Sequence, residues 1–202
     1  MLSTETNTAT SGAGQTPGEA LLELFYARAG LRPPMLQQIE GDEMPQPFRS
    51  LLVHSCDMTP TLEAFFHQPI GLRVLSRELQ DQSYVREVVL QRLDNSKPVE
   101  YGAIRICLNH LPPVAARRVL EAQRPFGNIL QSEAIPHMTW PQAFFRSESD
   151  FHMSGVLSLD TPAVLYGRRN VLVDGKRRLL AEVIEVLAPI PQRATDGNSD
   201  GY

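Results

Sequence analysis

The sequence predicts an α+β fold, an antiparallel β-sheet with a few helices packed on it. Three observations point there. Five segments of strand length alternate apolar and polar residues or run β-branched and apolar. Asp174-Gly175, a strong hairpin-turn dipeptide, sits between two of them. Three other segments carry helical spacing and are bounded by Pro or Gly.

The first helix is read at 18–30 (GEALLELFYARAG). Leu21, Leu24 and Phe25 share a face, and Gly30 followed by Pro33 and Pro34 stops it. The second lies within 51–68 (LLVHSCDMTPTLEAFFHQ). Thr59 suits the N-cap, Pro60 the first helical position and Glu63 the first turn. Leu62, Phe65 and Phe66 form its apolar stripe. The third, 111–123 (LPPVAARRVLEAQ), is opened by its prolines.

Segment 70–79 (IGLRVLSREL) reads as a strand. Segments 83–93 and 99–109 both alternate, and the turn at Asp94-Asn95-Ser96 makes them an antiparallel hairpin. Segments 164–173 and 177–189 flank Asp174-Gly175 as a second hairpin. Residues 131–160 mix Pro, His, Met and Phe without a period, and are expected to be loops and short elements over the sheet.

The 202 residues, 42% hydrophobic, suffice for one domain with a core. Residues 1–17 and 191–202 are polar and read as disordered tails around a domain at 18–190. The net charge of −4 indicates neither a nucleic-acid partner nor an anionic membrane surface. Cys56 and Cys107 form no CxxC pair. The N-terminus has no basic and apolar regions of a secretory signal, and no apolar run approaches a membrane span, so the expectation is a cytoplasmic protein. No zinc pattern, GxSxG, P-loop or GxGxxG is present.

Two charges stand out. Alternation places Arg86 with Tyr84, Val88 and Leu90, and Glu182 with Leu180, Ile184 and Val186. A charge on an apolar strand face is costly unless it is paired or meets a ligand. The pattern admits a structural Arg–Glu pair, a strand turned so that the charge faces solvent, or a shared pocket. It leaves Glu185, on the other face, as an alternative acid. Arg168 and Arg169 are candidates for an anion contact. Arg117 and Arg118 fit a solvated helix face, and Trp140 fits core or lid packing.

Four stretches resemble the chorismate lyase family, in its divergent bacterial branch. They are Cys56-Asp57-Met58-Thr59, Tyr84 to Leu90 (YVREVVL), Arg124 to Leu130 (RPFGNIL), and Tyr166 to Asn170 (YGRRN) leading through Asp174-Gly175-Lys176 to Leu179-Leu180-Ala181-Glu182. The resemblance implies a highly twisted antiparallel sheet with helical flaps over a buried pocket. It implies a lyase that eliminates pyruvate from chorismate to give 4-hydroxybenzoate, without a metal or cofactor. Chorismate and product would then be the partners of a monomer or weak dimer, with ubiquinone biosynthesis the common destination.

The family's ligand-binding arginine falls on Arg86 and its acid on Glu182. A methionine of the first flap falls on Met58, and a leucine of the second on Phe126, which keeps apolar character but changes pocket volume. Arg86 would bind a carboxylate, Glu182 would manage protons, and Met58 and Phe126 would exclude water. The change at Phe126 also admits a related lyase giving another aromatic acid. The same fold resembles the effector-sensing domain of some bacterial transcription regulators, which makes a non-catalytic small-molecule binder the alternative. Those domains follow a helix-turn-helix, whereas the residues before position 50 hold one clear helix.

Overall fold

The structure is a computed structural model and describes residues 17–190. The two tails lie outside the described residues, apart from Pro17. Seven strands form one antiparallel sheet: β1 (Gln37–Ile39), β2 (Ile70–Gln80), β3 (Ser83–Arg92), β4 (Pro98–Cys107), β5 (His137–Glu148), β6 (Val164–Asp174) and β7 (Leu179–Leu187). Their order is β1-β5-β6-β7-β4-β3-β2. Two meanders, β2-β3-β4 and β5-β6-β7, therefore join where β4 pairs with β7.

Both expected hairpins form. In the second, Asp174 Oδ1 accepts the backbone N–H groups of Lys176 and Arg178 at 2.8 and 2.9 Å. The positive φ falls on Arg177 (61°), not Gly175, which places the left-handed residue at the loop's end. The first hairpin turns with Ser96 at φ 56° and Asn95 Oδ1 accepting the Lys97 N–H.

Among the described residues six α-helices accompany the sheet: α1 (Pro17–Arg28), α2 (Phe48–Leu52), α3 (Met58–Phe66), α4 (Pro113–Glu121), α5 (Phe126–Ser132) and α6 (Phe151–Leu157). The expected helices are α1, α3 and α4. The N-cap of α3 is Asp57 rather than Thr59, and its carboxylate makes no capping bond because β5 holds it. Phe65 in the expected buried stripe is exposed, and Met58 and Thr59 are buried instead.

Segment 131–160 is the main correction. It holds β5, twelve residues long, and α6. Pro141 interrupts the alternation, and the register with β6 shifts between Pro141 and Ala143. Trp140, expected in core or lid packing, is 45% exposed.

The sheet is buried on both faces at its centre. One face packs Val85, Tyr101, Ala103, Phe145, Ile184 and Val186 against Leu21, Leu22, Phe25 and Tyr26 of α1 and Met153 and Leu157 of α6. Each Val, Leu, Ile, Phe or Met side chain so buried contributes about 1.5–3 kcal/mol. The opposite face carries two apolar clusters. One gathers Ile104, Leu172 and Val183 under α4 and α5. The other gathers Leu90, Val99 and Leu187 under α2 and α3.

Candidate functional site

A cavity of about 60 Å³ lies between those two clusters. Its floor is the sheet: Leu72 of β2, Arg86, Val88 and Leu90 of β3, Glu100, Gly102 and Ile104 of β4, Val183 and Glu185 of β7, and Asn170 and Leu172 of β6. Its roof is the start of α3 (Met58, Thr59) and of α5 (Phe126, Gly127). Such a volume holds about four waters. A ring-sized ligand requires the roof to move.

Alternation along β3 aims Arg86 into this cavity. Its side chain is 1% exposed. Nη2 donates to the backbone oxygen of Arg124 at 3.3 Å, just before α5. Nε and Nη1 have no hydrogen-bond partner among the described residues. Burial lowers its pKa to about 10, so it remains charged at neutral pH. An unpaired guanidinium of this kind is a strong site for an oxyanion with two acceptors.

Two carboxyl groups share the cavity. Glu185 accepts from Arg168 Nε at 2.5 Å. Arg168 is fully buried, and its other nitrogens donate to the backbone oxygens of Leu52, His54 and Cys56 at 3.2, 3.0 and 3.1 Å. It therefore tethers the segment leading into α3. Glu100 is 3% exposed, and its Oε2 has no partner. Burial, then the nearby Glu185, push its carboxyl well above the ordinary carboxylate range, against a weaker pull from Arg168.

The roof is fastened at Asp57. Its Oδ2 accepts from His137 Nε2 at 2.8 Å and its Oδ1 from Thr139 Oγ1 at 2.9 Å, both on β5. His137 Nδ1 lies 2.8 Å from the Ile135 backbone oxygen. Both ring nitrogens thus face acceptors, which only the doubly protonated imidazolium satisfies. The Asp57 hydrogen bond raises the His137 pKa. Asp57 is lowered, its bonds to His137 and Thr139 outweighing burial. Asn128 Nδ2 of α5 donates to Glu63 Oε1 of α3 at 3.2 Å, which links the two halves of the roof.

The structure therefore brings Arg86, Met58 and Phe126 together, and corrects the placement of the acid. Glu182 does not line the cavity. It lies on the opposite face, where Arg105 Nη1 donates to its Oε2 at 3.2 Å. Glu185, three residues on, lines the cavity. Of the two further arginines, Arg168 is saturated by protein partners, and Arg169 pairs across the sheet's other face with Glu19 at 3.2 Å. Glu100 and Asn170 were missed. The same alternation that singled out Arg86 marks Glu100, with Gly102, Ile104 and Ile106, as a charge on an apolar face.

The opposite face has its own buried acid, Glu87. Its Oε1 accepts from both Tyr101 Oη at 2.8 Å and His152 Nε2 at 3.1 Å. Among the described residues no group of His, Cys, Asp and Glu is arranged to hold a metal ion, and no helix is long and apolar enough to cross a membrane.

No family model matches the chain, and no curated protein matches it. Among solved structures it is similar to PhnF from Mycobacterium smegmatis, at 13% identity, covering 78% of this chain and 68% of that one, with a TM-score of 0.50. The fold is chorismate lyase-like. The effector domain of the same PhnF matches at 11% identity over 75% of this chain and 91% of that one, TM-score 0.49. The possible transcriptional regulator YydK from Bacillus subtilis matches at 8% identity, 59% of this chain and 57% of that one, TM-score 0.45. The chain thus spans little more than half the length of YydK. At these identities the likeness is one of fold.

Proposed function

We propose that this chain is a small-molecule binding module of chorismate lyase-like fold whose ligand is a carboxylate held by Arg86. The observation that carries the proposal is the buried guanidinium with Nε and Nη1 unpartnered at a cavity wall. A protein keeps an unpaired buried charge at a cost of several kcal/mol, and an anionic ligand removes that cost. Similarity in fold to PhnF, a protein with an effector domain, supports the reading.

Calorimetry and thermal melts with simple aromatic carboxylates test it. Binding to the wild type and none to Arg86→Met is the expected result. Unliganded Arg86→Met should also melt about 2–8 °C higher, since a buried unpaired charge is gone. Equal binding by both proteins would sink the proposal.

Elimination of pyruvate from chorismate is the second reading, favoured by an arginine and an acid, Glu185, facing one cavity. The bond from Arg168 to Glu185 argues against proton transfer by that acid. Incubation with chorismate decides: release of pyruvate with 4-hydroxybenzoate, or with another aromatic acid, would replace the binder by a lyase. Binding without turnover is the expected outcome.

A further inference from the structure

We infer that the outer edge of β2 is an interface with a second copy of this chain, paired antiparallel so that Arg73 of each copy meets Glu78 of the other.

β2 closes one end of the sheet, and no backbone group of another described element pairs with its outer edge. It is eleven residues long, whereas β1, at the other end, has three. Folded proteins keep exposed edges short or interrupt them, because a long row of free N–H and C=O groups pairs with another strand. Leu79, near the end of this edge, is 58% exposed.

A bulge selects the partner and the register. Val74 lies opposite Val88 of β3 and Ser76 opposite Glu87, so Leu75 is an extra residue. Leu72, Val74, Arg77 and Leu79 lie opposite Leu90, Val88, Arg86 and Tyr84 and share the cavity face. Arg73, Ser76 and Glu78 lie opposite Val89, Glu87 and Val85 and share the other face. Two copies of one strand pair about a twofold axis normal to the sheet, which keeps every residue on its own face. Because the alternation reverses at Leu75, the two halves of β2 match only where facing residues are an odd number of positions apart. An even register sets Arg73 against Arg77 on mismatched faces. Of the two odd registers that overlap nearly the whole strand, one joins Leu72 to Leu79, Val74 to Arg77 and Arg73 to Glu78. The other gives neither Arg73 nor Glu78 a partner of opposite charge.

Both charges have capacity left for a partner across the edge. Arg73 is exposed, and its Nη2 donates to the Val156 backbone oxygen of α6 at 3.3 Å. Glu78 pairs with Arg28 of α1 and accepts from Gln80 Nε2 at 3.3 Å, yet its side chain is 41% exposed. Opposite charges facing each other across strands stabilise the pairing, and like charges oppose it. Against a foreign strand without this pattern, Arg73 and Arg77 act as the basic residues that guard an edge. A second copy supplies the matching acid.

Sedimentation velocity of the full-length protein over a concentration series tests this, with Arg73→Glu and Glu78→Arg. The wild type should associate reversibly to a dimer. Each variant alone sets like charges against each other and should associate at least about tenfold more weakly. An equimolar mixture of the two rebuilds both ion pairs in a heterodimer and should return to within about threefold of the wild type. Leu79→Lys, at an exposed position, should also weaken association by about tenfold while its melting temperature stays near that of the wild type. A wild type monomeric throughout the series, a dimer indifferent to all three substitutions, or a mixture that fails to recover while both variants remain folded by circular dichroism would overturn the inference.

Discussion

Gly102 shows how much one residue decides about the cavity. On β4 it lies between Glu100 and Ile104 on the cavity face, and its missing side chain leaves the space. A Cβ there would approach Val88 Cγ2 to 3.3 Å and Glu100 Oε1 to 3.4 Å. Gly102→Val should therefore weaken carboxylate binding by about tenfold or more. The fold should survive, because Gly102 has no positive φ and valine suits a strand. Calorimetry alongside a thermal melt checks both halves.

Single-residue legibility had a physical limit of its own. Arg86 was readable because β3 shows one charge in its alternating set Tyr84, Arg86, Val88, Leu90. Glu182 and Glu185 were not separable, because β7 is buried on both faces and each set looks equally apolar. Only the helices above each face distinguish them, and these come from distant segments.

At the level of elements, the Asp57–His137 contact ties α3 to β5 over the cavity mouth, and its strength depends on pH. The lowered Asp57 contributes above its ordinary value near 4, and that contribution is lost as pH falls through its lowered value. The raised His137 contributes fully below its ordinary value near 6.5, and that contribution is lost as pH rises through its raised value. The tie is therefore strongest between about pH 4 and 6.5 and weakens above, by about 1 kcal/mol.

Amide exchange in residues 54–62 should quicken as pH is raised from about 6 to 8.5 beyond the intrinsic base-catalysed trend, and His137→Gln should remove the excess. An unchanged excess in His137→Gln would show that the contact does not hold the roof. Ligand release should follow the same pH trend.

The hairpins β3-β4 and β6-β7 were legible because their turns carry Asn, Ser, Asp and Gly at the bends. β5 was not, because Pro141 and its register shift break the period that identifies a strand. α5 was visible only through the resemblance of its sequence to a flap, since seven residues are too few to show helical period.

At the scale of the whole molecule, the ligand site is a joint between α3 on one side and α5 on the other, over a continuous sheet. A carboxylate at 100 times its dissociation constant should raise stability by about 2.7 kcal/mol, a melting shift of about 5–10 °C for a chain of this size. Differential scanning calorimetry with and without ligand measures it. A shift that persists in Arg86→Met would mean the stabilisation arises elsewhere on the surface.

The two apolar clusters on the cavity face meet across that joint, with a row of polar groups between them. The consequence is one of cooperativity. The layer under α4 and α5 and the layer under α2 and α3 share a sheet and are joined above it by the Asn128–Glu63 hydrogen bond, so they should open as two foldons coupled at that link. An occupant touching Met58 on one side and Phe126 on the other would act as the missing piece of core and fuse them. Unliganded, the two layers should exchange amide hydrogens at distinct rates; occupied, they should exchange as one.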